Sequence, residues 1–127
     1  MNTAFLFLLK PQFWRSTLLL LCMVVAYLAL TPTPPREADL FGWDKLNHAA
    51  AFAAMAWAAV LGFREQRMAR RTIALALVAY GAGIEIAQLW VPGRSCEWGD
   101  LLADSVGVAM GMLLATALLQ WRLNARQ

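Results

Sequence analysis

The sequence predicts an all-α fold: a four-helix transmembrane bundle with both termini on the cytoplasmic side. Three observations lead there. The 127-residue chain is 61% hydrophobic and only 15% charged, too apolar for an ordinary soluble domain of that size. Its apolar residues gather into four helix-length segments joined by short polar connections, at about residues 13–30, 46–63, 72–91 and 101–121. Its basic residues alternate in density from one connection to the next, as they do along a chain that crosses a bilayer repeatedly. The length leaves room for four spans and no separate soluble unit, so residues 1–127 read as one domain.

Each segment has its own delimiters. The first, opened by Phe13 and Trp14, is near the lower length limit for a spanning helix and stops at Thr31-Pro32-Thr33-Pro34-Pro35, because proline lacks the amide hydrogen a helix requires. A cleaved signal peptide is the competing reading. Lys10 and Arg15 would serve as its basic region, but no small-x-small cleavage site follows and the prolines come directly after, so a retained anchor is expected. The second segment is alanine-rich. The third ends at Pro92-Gly93, and the fourth carries Gly107-x-x-x-Gly111, a spacing that lets helices approach closely. Cys22, inside the first segment, and Cys96, in a polar turn, are poorly placed for a disulfide, and their spacing suggests neither zinc nor a redox pair.

Charge sets the orientation. Of eleven Lys/Arg residues, eight (Lys10, Arg15, Arg64, Arg67, Arg70, Arg71, Arg122, Arg126) flank one side and three (Arg36, Lys45, Arg94) the other. The richer side is expected to be cytoplasmic. The net charge of +3 sits beside apolar segments rather than across a solvated face, which argues against nucleic acid as a partner.

The remaining polar residues collect at the opposite, outward end. Asp44, Lys45 and His48 open the second helix, with Asp44 and His48 stacked at i,i+4. Gly81, Glu85 and Gln88 share a stripe of the third. Glu85 lies about 9 Å below Val91 at 1.5 Å per residue, deep enough to need a partner. Arg94 follows in the turn, and Asp100, Asp104, Gly107 and Gly111 share a stripe of the fourth. Charges in hydrocarbon cost several kcal/mol each and seldom persist without a partner or a task. Plainer roles are also expected for some of them. Asp44 and Asp100 suit helix N-caps, His48 a satisfied interior histidine, Glu85 with Gln88 a packing pair, and Arg94 a side chain snorkelling to head groups. The first helix, with no charge in its span, is expected to contribute no polar atom to the cluster.

At these residues the chain resembles the VanZ-like family of small bacterial membrane proteins: Asp44-Lys45-x-x-His48, Glu85-x-x-Gln88, Pro92-Gly93-Arg94-Ser95, and Asp100-Leu101-Leu102-Ala103-Asp104-x-x-Gly107, spanning roughly half of the chain. The sequence departs from the family pattern at Asp104, where Asn is more usual, and at Ala49, where an aromatic is. The resemblance implies a site at this end, and an association of the family with resistance to the glycopeptide teicoplanin. It implies no reaction.

Two functions compete. In one, Asp44, Lys45, His48, Glu85, Gln88, Arg94, Asp100 and Asp104 bind the head group of a lipid, a lipid-linked envelope precursor or a lipoglycopeptide. Lys45 and Arg94 then hold a phosphate or carboxylate. In the other, the protein is an enzyme on a lipid head group. His48 with Glu85 or Asp104 supplies acid–base catalysis, or the same three bind a divalent metal. No HExxH, Ser-x-Lys or Gly-x-Ser-x-Gly motif occurs. Transport by a four-helix monomer is disfavoured, and a homo-oligomer stays open. Localisation follows from the spans: a multi-pass protein of the bacterial cytoplasmic membrane with its site outward. In intact cells Cys96 should react with a membrane-impermeant thiol reagent, whereas Arg67→Cys should react only after permeabilisation. Labelling at position 67 in intact cells would reverse the orientation.

Overall fold

The computed structural model describes residues 10–33, 40–66 and 69–125. They form four α-helices and no strand: α1 (Pro11–Leu30), α2 (Asp44–Gly62), α3 (Arg70–Gln88) and α4 (Trp98–Asn124). Pro34, Pro35, Arg36, Arg67 and Arg126 lie outside the described residues. The expected boundaries shift by a few residues. α1 starts with Pro11 in its first turn, a position where the missing N–H costs nothing. α3 ends at Gln88, and the chain then turns through Val91-Pro92-Gly93-Arg94. There Arg94 N–H donates to the Val91 carbonyl at 3.1 Å, and Gly93 holds φ at 78°, the proline-then-glycine arrangement of a type II turn.

α2 and α4 make the most intimate pair, and they run parallel. Ala49 meets Gly107 and, one turn on, Ala53 meets Gly111; a Cβ on either glycine would overlap the alanine's backbone carbonyl. The glycine stripe seen in the sequence is thus the contact itself, completed by two alanines at the matching i,i+4 spacing. α1 and α3 form the other parallel pair, Tyr80 donating its hydroxyl to the Cys22 carbonyl at 2.5 Å. Phe52, Met55, Val60, Ile73, Leu77, Val108 and Ala115 fill the core between them.

The outside is apolar too. Leu102, Val106, Met110, Leu113 and Leu114 are exposed along α4, as are Leu19, Leu20, Met23, Val24 and Tyr27 along α1. α1 and α4 are each long and apolar enough to cross a membrane by length and composition. Of the four spans expected, α2 and α3, at 19 residues each, do not reach that standard. α2 opens on Asp44, Lys45 and His48, and α3 carries Arg70 and Arg71 at one end and Glu85 and Gln88 at the other.

The close approach generates a comparison. Gly107→Ala and Gly111→Ala should each cost about 1–3 kcal/mol through overpacking. Gly83→Ala, where an added Cβ meets nothing within 4 Å, should be neutral or slightly stabilising. Thermal melts of the three variants in one detergent check this; equal losses at all three would remove the helix contact as the cause.

Candidate functional site

Because α2 and α4 run parallel in close register, their N-terminal turns lie side by side. Helix N-termini carry partial positive charge, which makes this end hospitable to carboxylates. Asp44 and Asp100 occupy the first turns of α2 and α4. Neither is the N-cap the sequence suggested. The caps are Trp43 and Glu97, and neither makes a side-chain capping bond.

Lys45 and His48 knit the two helices together. The Lys45 ammonium lies 2.9 Å from Asp100 Oδ1 and 3.0 Å from Glu97 Oε2. Gly99 admits it: a Cβ there would stand 2.8 Å from Lys45 Cε. His48 Nδ1 lies 2.9 Å from Asp104 Oδ1. With Asp104 ionised, its carboxylate accepts from Nδ1–H, and the imidazole is oriented by a buried acid. Its Nε2 lies 3.9 Å from Asp44 Oδ2 and 4.0 Å from Asp100 Oδ2, beyond hydrogen-bonding range. Exposure falls from mouth to floor, with the side chain of Asp44 69% exposed, His48 19% and Asp104 2%. Gly81 provides room for that floor, since a Cβ there would stand 2.6 Å from Asp104 Oδ2.

Glu85 joins from α3 by another route. Its Oε2 accepts the Glu97 backbone N–H at 2.8 Å, so a side chain from one helix satisfies the orphan donor at the start of the next. The Glu85–Gln88 pair expected from their spacing does not form. Gln88 instead donates to the Ala29 carbonyl at 3.1 Å, and Oε1 of both residues is buried without a hydrogen-bond partner.

Arg94 turns to α1. Its guanidinium donates to the Leu28 carbonyl at 2.6 Å and the Thr31 carbonyl at 3.2 Å, a cation on a helix C-terminus. The first helix therefore does contribute polar atoms, namely the backbone carbonyls at its end, contrary to the expectation drawn from its uncharged span. At the other end of the molecule Arg15 treats α2 likewise, donating to the Gly62 carbonyl at 2.8 Å with its guanidinium 5.2 Å from the centroid of the Phe63 ring.

The structure thus brings Asp44, Lys45, His48, Asp100 and Asp104 into one cluster, links Glu85 to it through Glu97, and directs Gln88 and Arg94 onto α1. The ligand atoms that converge differ from the His48, Glu85 and Asp104 set suggested by sequence. Among the described residues Asp44, His48 and Asp100 each bring one within 4.8 Å of the others, while Glu85 and Asp104 are engaged by the Glu97 N–H and His48. Glu97 and Gly99 were missed. The available signal was position: both sit within three residues before Asp100, where a chain enters a helix.

Lys45, together with a hydrogen bond from Ser95, holds the Glu97 carboxyl below the usual carboxylate range. A depressed carboxyl stabilises the fold above its unfolded value, near 4.5, and that contribution disappears as pH falls through the lower folded value. Acid-induced loss of melting temperature as pH falls below that unfolded value should therefore be smaller in Glu97→Gln than in wild type, and the two should differ most at neutral pH. Parallel curves throughout would place Glu97 outside the ion-pair network.

No curated protein and no solved structure matches the chain. A protein-family model, VanZ/LLP1, matches residues 3–120, taking in all four helices apart from the last residues of α4 and every residue of the polar cluster. The four blocks of polar residues resemble that family, the helical order is compatible with them, and the match covers nearly the whole sequence: the chain belongs to the VanZ/LLP1 family.

Proposed function

We propose that this protein spans the bacterial cytoplasmic membrane four times as one domain, with both termini in the cytoplasm. Its outward end then binds the head group of a membrane amphiphile: a lipid, a lipid-linked envelope precursor or a lipoglycopeptide. The graded opening of the cluster carries this reading. Polar groups run from an exposed Asp44 through half-buried His48 to a buried Asp104, so a ligand enters from the water–lipid boundary and meets ordered acceptors below it. Exposed Trp43, Trp90 and Trp98 surround the same end, where indoles anchor a protein at the membrane interface. The positive-inside imbalance supports the orientation. So does the engagement of Lys45 and Arg94, which lie in or beside the outward connections and have their charges met by carboxylates and helix carbonyls.

That engagement also changes the expected chemistry. Neither cation is left over for a phosphate, and the side chains facing the mouth are mainly acceptors. Native mass spectrometry of protein released from its own membranes, joined to lipidomics of a deletion strain, tests the reading. A co-released amphiphile should fall about tenfold or more, 1.4 kcal/mol in affinity, in Asp104→Asn, which keeps the shape of the floor but removes its charge. Unchanged retention with native helicity would sink head-group binding at this cluster.

A second reading, a metal-dependent enzyme acting on such a head group, draws on the convergence of Asp44, His48 and Asp100 ligand atoms within 4.8 Å. Mixed nitrogen and oxygen ligands with a carboxylate behind the imidazole suit a divalent ion. A stoichiometric ion lost in His48→Ala, together with a head-group substrate accumulating in the deletion strain, would favour catalysis over binding.

A further inference from the structure

We propose that an anionic phospholipid lays one acyl chain in the groove between α1 and α4, in the leaflet beside both termini. This rests on the membrane-spanning part of the reading above and is independent of the head-group site. The first argument is space. α1 and α4 both pack against α2 but scarcely against each other, which leaves an open, apolar groove of about 460 Å³. Its floor is low because Ala54 and Ala58 of α2 lie there, with Gly111 of α4 beside them. Trp14 and Leu21 of α1 make one wall and Leu114 of α4 the other. From Trp14 to Leu21 is about 10 Å along the helix. At roughly 30 Å³ per small group, the share of a water in the liquid, the groove takes about fifteen heavy atoms, most of one acyl chain.

The second argument is charge. The groove runs towards the end of the molecule where basic residues gather. Lys10 lies one turn before Trp14 on one wall, and Arg122 two turns after Leu114 on the other, so helical spacing sets both along the stripes that line it. The start of α1 adds the partial positive charge of a helix N-terminus. Among the described residues Glu65 is the only acid at this end, and neither Lys10 nor Arg122 is paired with a carboxylate. Arg15, by contrast, is engaged by the Gly62 carbonyl. An apolar groove with a basic rim complements an acyl chain joined to a phosphate and carrying no compensating cation.

The third is a donor. Trp57 lines the same groove, and its indole N–H meets no acceptor among the described residues. A half-buried indole ordinarily finds a partner for that N–H. Trp57 stands five residues before the end of α2 at Gly62, about 7.5 Å in at 1.5 Å per residue. Indoles favour this depth, where one edge is apolar and the other meets the polar boundary. The ester carbonyl of a phospholipid lies just below its phosphate and supplies the acceptor.

The test uses the full chain released in detergent and mixed with phosphatidylglycerol or phosphatidylcholine, with retained lipid counted by native mass spectrometry. Phosphatidylglycerol should be retained about tenfold over phosphatidylcholine, as expected where one or two basic residues near the membrane surface favour the anion. Lys10→Gln combined with Arg122→Gln should bring the two lipids to equal retention. Ala54 is exposed, so Ala54→Phe fills the groove without disturbing the core and should remove both lipids. Trp57→Phe, which keeps an aromatic ring without the N–H, should lower retention of both alike. Equal retention by the wild type, or a preference that survives both the paired substitution and Ala54→Phe, overturns the proposal. So does a dimer that dissociates in Ala54→Phe, because a second copy then occupies the groove. Asp104→Asn, at the opposite end, should leave the preference unchanged; a preference lost there would move the anion to the outward site and overturn this one. Cysteine labelling reports the topology separately: reversed labelling would overturn the orientation and leave this site beside the termini.

Discussion

The contact of Ala49 and Ala53 with Gly107 and Gly111 is the constraint on which the site depends. Backbones can meet this closely only where a side chain is missing or a single methyl, so four small residues determine both the distance and the register of α2 and α4. Register then does the rest. With Ala49 set against Gly107, His48 is brought to Asp104 and Lys45 to Asp100 and Glu97. Sliding one helix by a turn would separate every one of these pairs.

Parallel packing has an electrostatic consequence. Two N-termini share one end, and two C-termini, those of α1 and α3, lie beside them. Acids gather on the former, and Arg94 satisfies the end of α1. At the far end Arg15 does the same for α2. The rule that anionic groups suit helix starts and cationic groups helix ends thus accounts for both the acidic site and the two arginines, which serve as structural caps. It also explains how a bundle with apolar flanks carries several carboxylates: most have a named donor, Lys45, His48 or a backbone N–H.

The unsatisfied atoms matter because the rest is so completely paired. Oε1 of Glu85 and of Gln88 are the buried side-chain polar atoms without a partner among the described residues. They sit three residues apart on α3, at the junction with α1 and α4. Stability alone would favour apolar residues at such places. Their presence there is a local cost to the fold.

Local chemistry was legible in the sequence by itself: four helices, their breaks at proline, the clustering of polar residues at one end, the close-packing glycines and the charge asymmetry all follow from composition and helical period. These are properties of residues a few positions apart. Partner choice was not legible. Arg94 and Gln88 reach carbonyls more than fifty residues away, and backbone acceptors look the same in every sequence. Glu97 enters through its backbone N–H as well as its side chain, and which three ligand atoms converge depends on how each helix is rotated about its axis. A rotation of one residue, about 100°, exchanges inward and outward faces, and only the packing of all four helices decides it.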